Sequence, residues 1–105
     1  MTPQMSTTCM HWISAYDLDG FVNAPRVAKY RAEICGTGVL RFHADDETVA
    51  EFMVDDEDEW KCIAGNYPVK DSGHIRFGLQ CRVEDPTKSI YVRHANIWME
   101  EYEED

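Results

Sequence analysis

His74-Ile75-Arg76-Phe77-Gly78-Leu79-Gln80-Cys81-Arg82-Val83 is the stretch that decides the fold. Ile75, Phe77, Leu79, Cys81 and Val83 alternate with His74, Arg76, Gly78, Gln80 and Arg82. A period of two sends one set into a core and the other into water, which is the signature of a half-buried strand. Asp71-Ser72-Gly73 before it and Glu84-Asp85-Pro86-Thr87 after it carry turn chemistry.

The same period extends in both directions. Ala28, Tyr30, Ala32 and Ile34 alternate with Lys29, Arg31 and Glu33; Gly36-Thr37-Gly38 then reads as a turn. Leu40, Phe42 and Ala44 resume the period, with Arg41 and His43 opposite. Trp60, Cys62 and Ala64 form a shorter alternating run, and Met10–Tyr16 reads as an edge strand. In Ile90–Met99 the apolar phase switches between Val92 and Ile97, which predicts a bulge near His94-Ala95-Asn96. Thr48–Val54 has two readings. As a strand it turns Ala50, Phe52 and Val54 inward and closes a hairpin over Asp45–Glu47. As a short helix capped by Asp45 or Asp46 it places Val49, Phe52 and Met53 on one side. The hairpin is the favoured expectation. The chain therefore reads as all-β, a compact antiparallel β-sandwich or half-open barrel of six to seven short strands. One short helix near 46–54 is the alternative, and a single domain spans 1–105. Tyr30, Ile34, Leu40, Phe42, Ile75, Phe77, Leu79 and Val92 are the expected core.

With 105 residues, 20 acids against 10 Lys and Arg, and a formal net charge of −10, the composition argues against direct binding to nucleic acid or to an anionic membrane. The acids are clustered. Asp45, Asp46, Glu47, Glu51, Asp55, Asp56, Glu57, Asp58 and Glu59 occur with no Lys or Arg between them, and Glu100, Glu101, Glu103, Glu104 and Asp105 close the chain. Like charges crowded together repel, so clustering suggests an anionic surface for a basic partner. A solvated loop and a solvated tail are the plain alternative.

Chemistry-bearing motifs are absent from the sequence. Cys9, Cys35, Cys62 and Cys81 are spaced by 26, 27 and 19 residues, unlike zinc or redox motifs. Cys35, Cys62 and Cys81 keep step with apolar neighbours and read as reduced core residues. Asp55–Glu59 lacks the glycine and the alternate ligand spacing of a calcium loop. The histidines show no H-x-H or helical ligand spacing. No G-x-S-x-G, P-loop or G-x-G-x-x-G is present. The expectation is a non-enzymatic protein with no metal and no cofactor. The N-terminal residues show no secretory pattern and no apolar run spans a membrane, which points to the cytoplasm.

Two resemblances follow. Lys29-Tyr30-Arg31-Ala32-Glu33, Leu40-Arg41-Phe42-His43-Ala44, Glu59-Trp60-Lys61-Cys62, Ser72-Gly73-His74-Ile75-Arg76-Phe77 and Ile90-Tyr91-Val92 with Asn96-Ile97-Trp98 resemble the strand order of galactose-binding-type β-sandwich modules, over residues 28–99. That resemblance implies a carbohydrate or small ligand held by exposed aromatics such as Trp60 and Tyr67. In size and charge, rather than by any motif, the chain is similar to small acidic phage-encoded inhibitors of the anti-CRISPR and DNA-mimic kind. That similarity implies an inhibitor on a basic, nucleic-acid-binding surface of a host protein complex. The second is the leading expectation and the first its alternative. Tryptophans lining a groove would favour the ligand-binding module; buried tryptophans beside an acidic ridge would favour the inhibitor.

Overall fold

The computed structural model describes residues 5–102. Six strands follow in order: β1 (Met5–Thr7), β2 (Ile13–Val22), β3 (Arg26–Ala44), β4 (Glu47–Val69), β5 (Gly73–Arg82) and β6 (Ile90–Glu101). Every pairing is antiparallel. Among the described residues no helix is long and apolar enough to cross a membrane.

The organising element is β3. One of its edges pairs with β4 along its whole length, from Arg26↔Val69 to Ala44↔Glu47. Its other edge is shared: β6 takes Arg26–Gly36 and β5 takes Val39–Ala44. β1 extends the β6 side and β2 the β5 side. The single sheet thus curls on itself as an antiparallel half-barrel, and the inner faces of both limbs meet in one core. Ala28, Tyr30, Ala32, Ile34, Leu40 and Phe42 on β3 face Phe77, Leu79 and Cys81 on β5 and Val92 and Ile97 on β6. Aromatic rings continue the packing: Tyr30 stacks on Phe42 at 4.1 Å between centroids, and Phe42 on Phe77 at 5.8 Å. All eight expected core residues are in or against this cluster, Ile75 being only partly buried.

Several expectations need correction. Two strands are long, 19 and 23 residues, rather than short. Gly36-Thr37-Gly38 is no turn; it lies inside β3, at the place where the strand leaves β6 for β5. Glycine is needed there because the end of β5 and the start of β6 both crowd it. Gly36 has φ +98°, and a Cβ on it would run into Ser89 O, while a Cβ on Gly38 would stand 2.6 Å from Arg82 O. Thr48–Val54 is strand, as the favoured reading had it, and not the alternative helix, with Val54 buried and Ala50 and Phe52 packed on the core. Its connection is the two-residue Asp45-Asp46 link, with Asp45 at φ +53°. Trp60-Lys61-Cys62-Ile63-Ala64 has the opposite phase to that expected: Ile63 is buried, while Cys62 and Ala64 are exposed. Cys62 is therefore no core residue, whereas Cys35 and Cys81 are. The bulge in β6 is present, with Arg31↔Asn96 followed by Glu33↔Arg93 and His94 at φ +55°. β2 is an edge strand that runs on to Val22, well past Tyr16.

Candidate functional site

The reversed phase of Trp60–Ala64 has a cause, and that cause builds the site. β3–β4 pairing passes from Ile34↔Lys61 to Gly36↔Asp56, so Glu57, Asp58, Glu59 and Trp60 stand opposite the single residue Cys35. This wide bulge throws the middle of β4 outward. Asp56 braces it: its Oδ1 accepts the backbone N–H groups of Asp58 at 2.9 Å and Glu59 at 3.2 Å. The Cys35 thiol donates towards the carbonyls of Asp56 and Glu57, each at 3.4 Å.

Between the bulge and the start of β6 lies a cleft of about 520 Å³, lined by Cys35, Glu57, Asp58, Trp60, Thr87, Lys88, Ser89 and Tyr91. Its far wall is the β5–β6 connection. Asp85 shapes that wall by accepting from Thr87 N–H at 2.9 Å and Thr87 Oγ1–H at 2.7 Å, bonds that hold its carboxyl below the usual carboxylate range. Thr37 N–H donates to Ser89 O at 2.9 Å and ties the wall to β3. Trp60 is half-buried, with the Arg93 guanidinium 4.0 Å from its ring centroid. Arg93 is itself held by Glu33, whose Oε1 accepts from its Nε at 3.1 Å and Nη2 at 3.0 Å. Two aromatic rings therefore flank carboxylate acceptors, a lysine donor and two hydroxyls. A second cleft of about 420 Å³, lined by Met53, Asp55, Glu59 and Lys61 among others, reaches the other side of Trp60.

The expected acidic surface is not one surface. Asp45 and Asp46 sit at the tip of the β3–β4 hairpin, whereas Glu100 and Glu101 pair with Val27 and Arg26 at the opposite end of β3. Glu47 and Glu51 lie along β4 between the tip and the bulge, and Asp55–Glu59 lie at the bulge, all exposed. Glu103 and Glu104 fall outside the described residues. Several of these acids serve the fold. Asp45 Oδ1 accepts Arg76 N–H at 3.0 Å, and Asp55 Oδ1 accepts the Thr37 hydroxyl at 3.2 Å. Glu100 accepts the Trp98 indole N–H at 2.7 Å and faces Lys29 at 3.5 Å; the indole bond first, then Lys29, hold its carboxyl below the ordinary value.

Of the two aromatics expected to hold a ligand, only Trp60 lines the cleft. Tyr67 faces inward, packing edge-on against Phe77 at 6.0 Å between centroids. Thr87, Lys88 and Ser89 were not expected in the site. Tyr91 carried a signal, since it occupies the polar phase of the Ile90–Val92 strand and so had to point outward. Among the described residues no group of three or more His, Cys, Asp or Glu is placed to hold a metal ion.

Comparison with known proteins gives likeness of fold alone. No protein-family model and no curated protein matches the sequence. A solved structure described as the EclA C-terminal domain, a sugar-binding protein, superposes with a TM-score of 0.70 at 12% identity, covering 93% of this chain and 79% of that one. A cyclase from Fischerella sp. TAU, in complex with 4-(1H-indol-3-yl)butan-2-one, matches with a TM-score of 0.59 at 12% identity; this chain spans 56% of its length. A CBM4 structure matches with a TM-score of 0.53 at 9% identity over 92% of this chain and 82% of that one. The half-barrel is thus an architecture shared with a protein described as sugar-binding and with a cyclase.

Proposed function

We propose that the chain is a non-catalytic binding module for a carbohydrate or similar polyhydroxylated ligand, held in the cleft between Trp60 and Tyr91. The observation that carries this reading is the pairing of two aromatic rings with polar groups of both kinds in one open cleft of about 520 Å³, a size suited to a small ligand. An indole face covers the C–H side of a sugar ring, while Glu57 and Asp58 accept from its hydroxyls and Lys88 donates to them. The sugar-binding description of one similar fold supports the same class. The test is a glycan array followed by titration of any hit against Trp60→Ala and Tyr91→Ala. Each truncation should weaken binding by about thirtyfold, the ~2 kcal/mol of a buried aromatic anchor. An array with no hit, or hits unaffected by both substitutions, would remove this cleft from consideration.

A second reading has its own support in the run of five exposed acids at the bulge. We propose that Asp55–Glu59 can also meet a basic protein surface, with association steered by charge and weakened by salt. Replacing these five acids by Asn and Gln should slow association by about tenfold at low salt. Replacing Asp17, Asp19, Asp71, Glu84 and Glu101 instead gives the same change in net charge, and equal slowing by that set would reduce the effect to bulk charge.

A further inference from the structure

The geometry points to a second binding site, for a ligand carrying a single carboxylate, at the N–H edges of Arg41 and Arg82 on the outer face of β3 and β5. It stands apart from the Trp60 cleft and holds whether or not that cleft is occupied. Register puts the two arginines together: Arg41 pairs with Gln80 and Val39 with Arg82, so both side chains leave the sheet on the side away from Leu40 and Phe42. Trp12, one residue before β2 and its Ile13↔Cys81 pair, lies against both. The guanidinium carbon of Arg41 is 4.2 Å from the indole centroid and that of Arg82 is 4.8 Å from it.

Two cations on one ring without a counter-ion are the observation that asks for a partner. The chain has 20 acids against 10 Lys and Arg, yet among the described residues neither Arg41 nor Arg82 forms a salt bridge. Glu51 stands opposite Arg41 in register, and even that pair does not close. Arg93 is the contrast, since it also lies on an indole but is neutralised by Glu33. Like charges this close repel, and an anion beside them relieves the repulsion. Arg82 Nε is buried and has no hydrogen-bond partner, so part of the cost of drying this cation is left uncompensated.

Stacking leaves the donors at the rim open. An indole covers the face of a guanidinium, whereas the N–H bonds lie in the guanidinium plane. Arg41 is fixed by neutral acceptors: Gln80 Oε1 takes its Nε at 2.8 Å and Nη2 at 2.6 Å, and Thr48 Oγ1 takes Nη1 at 3.2 Å. Each Nη of Arg41 keeps a second N–H, and Arg82 keeps the parallel N–H pair of its terminal edge, the fork that two carboxylate oxygens fit. Both arginines are half-buried, so an anion held between them is screened less than one on an open surface. Positive donors exclude a cation, and a guanidinium stays charged at every working pH, so the ligand class depends on no titration. A net charge of −10 disfavours a second negative charge on the guest, which leaves a single carboxylate on an otherwise neutral frame.

The experiment is an NMR titration of the whole chain with sodium acetate, exchanged against sodium chloride at fixed ionic strength, with sodium phosphate as a separate probe. The Arg41 and Arg82 Nε–H groups and the Trp12 indole N–H report this site. The Trp60 indole N–H reports the first cleft, so failure of either site is seen independently. Acetate should shift the Arg82 and Trp12 resonances saturably. Arg82→Lys keeps the charge but removes the fork, and should weaken acetate binding by about tenfold, the loss of one charge-assisted hydrogen bond. Arg41→Gln should weaken it by a similar factor and keeps the test decisive should Arg82→Lys fail to fold. No saturable shift with acetate, a shift that chloride reproduces, tighter binding of phosphate than of acetate, or an acetate affinity unchanged in both variants would overturn the proposal.

Discussion

Arg93 lies on Trp60, its guanidinium carbon 4.0 Å from the ring centroid, and Glu33 holds Arg93 there through two hydrogen bonds. The three residues come from β6, the β4 bulge and β3, so one contact locks the bulge to the sheet. Arg93→Ala removes a cation–π contact of about 0.5–1 kcal/mol and leaves the Glu33 carboxylate, which is 17% exposed, without its main partner. We expect a loss of roughly 1–3 kcal/mol in thermal unfolding and a broadened Trp60 indole resonance. Arg93→Lys should restore little, because a lysine cannot reproduce the forked contact to Glu33.

Gly36 sits at the branch of β3. With φ +98° and Ser89 O where a Cβ would go, Gly36→Ala must displace the β5–β6 connection. Left-handed strain of about 1–2 kcal/mol adds to that clash. Gly20→Ala is the comparison, since nothing lies within 4 Å of its Cβ position. Denaturant melts should show a large loss for the first and a change within ~1 kcal/mol for the second.

The thiols should label in a fixed order. Cys62 is exposed and should react first, while Cys81 is fully buried, with its thiol pushed up to about 11 by burial and then by Cys9. A raised folded value means that Cys81 favours folding below its unfolded value of 9.0, and that this share is lost as pH rises towards 11. Mass-resolved alkylation in native buffer checks the order; early labelling of Cys81 would contradict the core placement.

Glu100 ties acid sensitivity to a chromophore. Its carboxyl is lowered by the Trp98 indole bond and, more weakly, by Lys29. A lowered folded value supplies stability above the unfolded value of 4.5, and that share is lost as pH falls through the folded one. Trp98 fluorescence should therefore change on acidification below pH 4.5, and Glu100→Gln should remove that step.

Alternation by itself determined the strands and most of the core. The apolar phase of Ala28–Ile34, Leu40–Ala44 and Ile75–Val83 went to the core as the period of two required, but the other face was not everywhere wet, since His43 in the polar phase is buried where β3 lies between β4 and β5. The broken phase in β6 was legible for the same reason, since a phase change forces an extra residue. Tertiary structure decided what no local pattern encodes. Gly36-Thr37-Gly38 reads as a turn until β5 and β6 are seen to share one edge of β3, where the close approach of those two strands' ends is what excludes a side chain. The acidic run Asp55–Glu59 has no period, so neither its bulge nor the reversed phase after it was readable. The acids of the two charged windows were counted together, yet β3 holds Asp45 and Glu100 at opposite ends. The cleft joins residues far apart in the chain, Trp60 with Tyr91. Such neighbours are created by strand register, and register is settled by the whole sheet closing on its core.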